Sequence, residues 1–159
     1  MAEDGIHEVV RRVVVLGLGN LLLGDEGAGV HVVEQLRLTG GLPGVELVDG
    51  GTAGYSLMGY FEGSSLVVIV DAAADGNPPG TVTRLRPAFS ADYPPAWTSH
   101  DIGMKNLIDA LALTDSRPDI VLFTISVAEP DRATLDLSPQ VDRAIRETAD
   151  RIRAFLSGC

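Results

Sequence analysis

V-V-V-L-G-L-G-N-L-L-L-G-D-E-G-A-G-V-H-V-V-E-Q-L, running from Val13 to Leu36, decides the fold. Val13 to Leu18 is a continuous apolar run of the kind found in strands covered on both faces. A glycine turn follows, then an apolar bridge, then Asp25 and Glu26. From Asp25 to about Leu38 the pattern is helical, with Val30, Val33 and Leu36 on one side. A buried strand thus feeds a helix, with an acidic pair where they meet. In open α/β sheets this junction, at the carboxyl end of a strand, is where ligands and catalytic groups gather.

The alternation continues along the chain. Val45–Asp49 predicts a second short strand, ending in the glycine-rich D-G-G-T-A-G of Asp49–Gly54, with a short helix from about Tyr55 to Phe61. Leu66–Val70 is the most apolar strand, and Asp71 is expected to terminate it. Thr81–Leu85 alternates like a half-exposed edge strand, which suits antiparallel pairing. After an irregular loop from Pro87 to Pro95, Thr98 and Asp101 fit a capping box for a helix to about Leu113. Ile120–Val127 is a further buried strand. Ser138-Pro139 caps a last helix carrying Val141, Ile145, Thr148, Ile152 and Phe155 at three- and four-residue spacing. Strands alternating with helices predict a three-layer α/β/α domain with a mostly parallel sheet and one antiparallel edge strand. Residues 1–11 are expected to form a loose leader and residues 12–157 a single domain.

Composition narrows the function. At 159 residues the chain can bury about two-thirds of its unfolded surface. A net charge of −10 argues against nucleic acid and against an anionic membrane surface as partners. The single cysteine, Cys159, allows neither an internal disulfide nor a cysteine-based zinc site, which suits a reducing cytoplasm. No apolar segment approaches the ~20 residues of a membrane-spanning helix. A monomer is the simplest expectation.

Asp25 and Glu26 complement a helix N-terminus by charge alone, and helical spacing does not separate them: both fall at the edges of the apolar arc. Asp49 and Asp71 both follow strands, where a carboxylate is often a turn former. Asp71 is the sharper candidate because its strand is apolar enough to be central. His100 precedes Met104, Leu107, Ile108 and Leu111 by four, seven, eight and eleven positions, which places it on the inward face of its helix. His31 and His7 are weaker. Glu26 or Asp25, Asp71 and His100 would share one sheet edge, giving a mixed oxygen and nitrogen set suited to Zn, Ni, Mn or Fe, or to acid–base chemistry without metal. G-L-G-N-L-L-L-G lacks the third glycine of a dinucleotide fingerprint at its proper place. No P-loop, G-x-S-x-G elbow or H-E-x-x-H motif occurs.

Gly17–Val30 (G-L-G-N-L-L-L-G-D-E-G-A-G-V) resembles the signature of the hydrogenase maturation proteases, the endopeptidases that trim the C-terminal tail of [NiFe]-hydrogenase large subunits. The resemblance continues through D-G-G-T-A-G (Asp49–Gly54), V-D-A-A (Val70–Ala73), S-H-D-I-G-M-K-N-L-I-D-A-L (Ser99–Leu111) and L-S-P-Q-V (Leu137–Val141), in the family's order. It implies a five-stranded twisted sheet of phosphorylase/hydrolase-like type. It also implies a metal-binding and catalytic trio of Glu26, Asp71 and His100, and so selects Glu26 over Asp25. The metal implied is the nickel of the substrate, a large-subunit precursor, with cadmium or zinc able to take its place in a purified sample. Asp49, Gly50, Gly51 and Thr52 would shape the substrate cleft beside the trio. The chain departs from the family pattern at S-V-A-E-P-D-R (Ser126–Arg132) and at Asp136, where glycines are more common. Two rivals compete with a peptidase: a non-catalytic nickel-sensing chaperone of the same precursor, and a nucleotide-binding enzyme using the Gly17–Gly19 turn.

Overall fold

The computed structural model describes residues 11–94, 99–115 and 117–159, and of residues 99–102 the backbone alone. Five strands form one sheet: β1 (Val13–Leu18), β2 (Val45–Gly51), β3 (Leu66–Ala73), β4 (Val82–Leu85) and β5 (Asp119–Ser126). Their order across the sheet is β2-β1-β3-β5-β4. All neighbours are parallel except β4, which runs antiparallel along β5 at the edge. Among the described residues four α-helices cover it: α1 (Ala28–Leu38), α2 (Met58–Phe61), α3 (Ser99–Ala112) and α4 (Pro139–Ser157).

The period of two along the strands divides the core into two layers. Val15, Val68, Val70, Val121 and Phe123 face α1 and α4, together with Val33, Leu36, Val141, Ile145 and Ile152. Val14, Leu16, Val67, Ile69, Ile120 and Leu122 face the other side, where Met104, Leu107, Ile108 and Leu111 of α3 close the layer. The apolar rows expected on α3 and α4 are therefore the buried ones. Ser138 caps α4 through a bond from the Val141 amide, as its position before Pro139 predicts.

Three expectations need correction. The segment after β1 does not enter an α-helix at Asp25: Gly24–Gly27 is a 3₁₀ turn, and α1 begins at Ala28. The segment before β3 likewise opens as a 3₁₀ turn, Gly54–Leu57, with α2 reduced to four residues. Asp71 does not terminate its strand, because β3 continues to Ala73 and pairs with β5 as far as Ser126. Thr98, the proposed cap of α3, lies outside the described residues, as do residues 1–10 of the leader. Among the described residues no helix is long and apolar enough to cross a membrane.

The chain leaves β1 toward β2 on one side and returns past β1 to β3 on the other. The carboxyl ends of β1 and β3 therefore flank the switch point of the sheet, where a crevice forms.

Candidate active site

Glycines set the geometry of this crevice. A Cβ at Gly29, in the first turn of α1, would stand 2.1 Å from the Val70 carbonyl oxygen and 2.3 Å from that of Leu18. Gly17 and Gly19 are equally confined: their Cβ positions would fall 2.3 Å from the Gly29 oxygen and 2.1 Å from the Glu26 oxygen. Gly19 also has a φ of 137°, which side chains rarely adopt. The helix start is thus pressed onto the ends of both central strands by backbone contact. The glycines serve the chain's own packing, so the turn is not an open phosphate cradle, which disfavours the nucleotide-binding rival.

Glu26 lies three residues before Gly29 and Asp71 directly after Val70, so the close Gly29–Val70 approach joins two carboxylate-bearing segments. Glu26 is only 5% exposed and Asp71 1%. Carboxylates are almost never so buried unless partnered. Both oxygens of Asp71 are engaged: Oδ1 accepts from the Ala72 amide at 2.8 Å, and Oδ2 from the Tyr93 hydroxyl at 2.7 Å. These partners satisfy a polar group inside a strand and let β3 run on past it. By strand alternation Asp71 follows Val67 and Ile69 onto the α3 side of the sheet.

Asp25 behaves differently. It is half-buried, and its Oδ1 accepts from the Ser138 amide at 2.7 Å, fastening the 3₁₀ turn to the start of α4. The same loop is stitched further by Gly24 N–H to the Thr134 carbonyl, 2.7 Å, and Thr134 N–H to the Leu22 carbonyl, 2.8 Å. The acidic pair thus splits into a fastening residue and a buried one. His31 is half-buried within α1, and His7 lies outside the described residues.

His100 occupies the first turn of α3, one turn before the buried Met104. Its side chain lies outside the described residues. Among the described residues no three His, Cys, Asp or Glu side chains converge as a metal site would require. The expected cleft segment sits at the end of β2. Asp49 is exposed, and its Oδ1 accepts from the Gly51 amide at 3.0 Å in a local turn. Gly50 is buried against Leu16 and Leu18, where a Cβ would fall within 2.9 Å of both side chains, and Thr52 is exposed.

Tyr93 is the site residue that sequence reading missed. It is 5% exposed, in a loop without periodicity. The one signal available was an aromatic residue directly before the Pro94-Pro95 pair.

The fold is that of a three-layer α/β protein with two buried carboxylates, Glu26 and Asp71, on segments at the switch point between β1 and β3. The family model described as "Hydrogenase maturation protease" matches residues 30–154. The Hydrogenase 2 maturation protease of Escherichia coli K12 is 34% identical over 151 residues, covering 91% of this chain and 90% of its own. The solved structure of the hydrogenase maturating endopeptidase HybD from E. coli superposes with a TM-score of 0.81 at 32% identity, over 92% of this chain and 93% of that one. The [NiFe] hydrogenase maturation protease HybD from Thermococcus kodakarensis gives 0.70 at 27% identity, over 91% and 98%. The chain belongs to the hydrogenase maturation protease family and is a peptidase.

Proposed function

We propose that this peptidase removes the C-terminal extension of a [NiFe]-hydrogenase large-subunit precursor after nickel insertion. In this reading Glu26, Asp71 and His100 recognise the nickel carried by the precursor. The observation that supports it is the burial of Glu26 and Asp71 on the two segments joined by the Gly29–Val70 contact, at the strand ends where open α/β sheets usually bind ligands. Two carboxylates and an imidazole form a donor set that suits a divalent first-row cation and leaves positions open for substrate groups. Burial excludes water from competing with those donors and strengthens their attraction for a cation. Peptide hydrolysis consumes one water. A carboxylate of the set takes its proton as the oxygen adds to the scissile carbonyl, and the proton passes to the leaving amine. Asp49, Gly50, Gly51 and Thr52 border the cleft in which the precursor's tail lies. The working form is a cytoplasmic monomer.

The test mixes the protein with nickel-loaded and nickel-free precursor and follows tail removal by intact mass. Cleavage of the loaded form alone supports the reading. Binding without cleavage would instead favour a chaperone role for this site. Glu26→Ala and His100→Ala should each abolish processing with the fold retained. Full activity in either variant removes that residue from the site.

A further inference from the structure

The loop carrying Tyr93 is held far more firmly than its exposed sequence demands. Asp92 Oδ2 accepts the amides of Ala88 and Phe89 at 2.9 and 3.1 Å, closing the loop on itself. Asp109 Oδ1, on α3, accepts the Ser90 amide at 2.8 Å, and Arg117 donates to the Ala88 carbonyl at 3.0 Å. These ties come from three separate places in the chain. They hold a short 3₁₀ turn, Ser90–Asp92, directly before Tyr93. Asp92 is exposed and Pro94 half-buried, while Tyr93 between them is buried in the α3 layer of the core.

A tyrosine that only filled this layer could leave its hydroxyl to water or to a carbonyl. Here the hydroxyl donates to Asp71 Oδ2. Rotation of a carboxylate about its terminal torsion is broad and nearly two-fold, so burial alone does not fix the plane of the group. Donors on both oxygens do, with the Ala72 amide on one side and Tyr93 on the other. Outer partners of this kind orient metal-facing carboxylates and typically change affinity or activity tenfold to a hundredfold when removed.

We propose that Tyr93 is a positioning residue for the cleavage reaction: its hydroxyl, aimed by the strapped 88–92 loop, sets the plane in which the Asp71 carboxylate meets the substrate's nickel. The inference rests on the reading of Asp71 as one of the nickel-facing groups. Its test uses Cd2+ alone as the probe, titrated calorimetrically into the full chain, with cleavage of nickel-loaded precursor and thermal unfolding measured in parallel. Tyr93→Phe keeps the ring and removes only the hydroxyl. It should weaken Cd2+ binding and slow cleavage each by roughly tenfold to a hundredfold. In an Asp71→Asn background the same substitution should cost nothing further, because Tyr93 acts through Asp71. Unchanged Cd2+ affinity in Tyr93→Phe overturns the inference, including where the melting temperature falls, which would mark a structural role only. Failure of the unsubstituted protein to bind Cd2+ overturns the metal-reading trio and this inference with it. Cd2+ binding by the unsubstituted protein together with an indifferent Tyr93→Phe overturns the inference alone.

Discussion

Asp25 Oδ1 accepts the Ser138 amide at 2.7 Å, a bond that spans 113 positions of sequence and ties the loop leaving β1 to the N-cap of α4. Its neighbour Glu26 is buried. Two adjacent carboxylates therefore sit in different environments, one holding loops together at a half-open position and the other buried. Asp25→Ala should lower stability by about 1.5 kcal/mol, the low end for a bond to a charged acceptor, because the site is half open to solvent. Cleavage should persist within a few-fold, in contrast to Glu26→Ala. Urea unfolding and intact-mass assays of both variants check this. Complete loss of cleavage in Asp25→Ala at unchanged stability would return Asp25 to the active site.

Gly29→Ala should be among the most damaging single-methyl changes in the protein. The added Cβ meets two backbone carbonyls, of Val70 and Leu18, and neither can rotate away as a side chain would. The expected loss is about 3 kcal/mol, the upper end for overpacking. The midpoint of chemical denaturation reads it directly. Gly59→Ala, with nothing within 4 Å, is the matched control and should stay close to the parent.

Arg153 closes the far end of α1 from α4. Its guanidinium donates to the carbonyls of Gly41, Leu36 and Thr39 and to the Thr39 hydroxyl, satisfying groups that a helix C-terminus leaves without partners. Arg153→Ala should cost about 1–2 kcal/mol, and Arg153→Lys should recover only part, since a single ammonium cannot span the same fork of acceptors. Amide exchange at Thr39 to Gly41 should quicken in both variants. Unaltered exchange in Arg153→Ala would mean that the α1 end is held by other contacts.

The strap on the Tyr93 loop carries a pH signature. The Ser90 amide, and after it the Ser90 side chain, hold the Asp109 carboxyl below its ordinary value of 3.8. A carboxyl lowered in the folded state contributes stability that is complete above the unfolded value and disappears as pH falls through the folded one. The Ser90–Asp109 tie should therefore persist at neutral pH and weaken only below about pH 4. Asp109→Ala should flatten that part of the stability–pH curve and leave the neutral plateau with the same slope. An unchanged acid limb in the variant would sink the assignment.

The sheet and both helix layers were legible because burial on two faces leaves long apolar runs, as in Val13–Leu18 and Leu66–Val70. The site was legible only in part. Helical spacing failed to separate Asp25 from Glu26 because Gly24–Gly27 turns as a 3₁₀ helix, whose three residues per turn break the α-helical arithmetic before Ala28. The family resemblance chose Glu26; in the structure Glu26 is the buried member of the pair and Asp25 the one bonded to Ser138. Asp71 looked like the end of a strand because a lone carboxylate after five apolar residues has no partner visible in sequence. The partner, Tyr93, sits 22 positions away in a loop whose side chains follow no period. Long-range polar pairs of this sort leave no local trace.

The stitch between Leu22–Asp25 and Thr134–Ser138 has a consequence for engineering. The second loop includes Asp136, one of the positions at which the sequence departs from the pattern it resembles, and it would be a natural cassette to exchange in engineering. Its backbone, however, supplies the donors and acceptors that hold the turn bearing Glu26. A graft of that loop alone would also re-seat Glu26, so the two loops act as one unit and should be transplanted together.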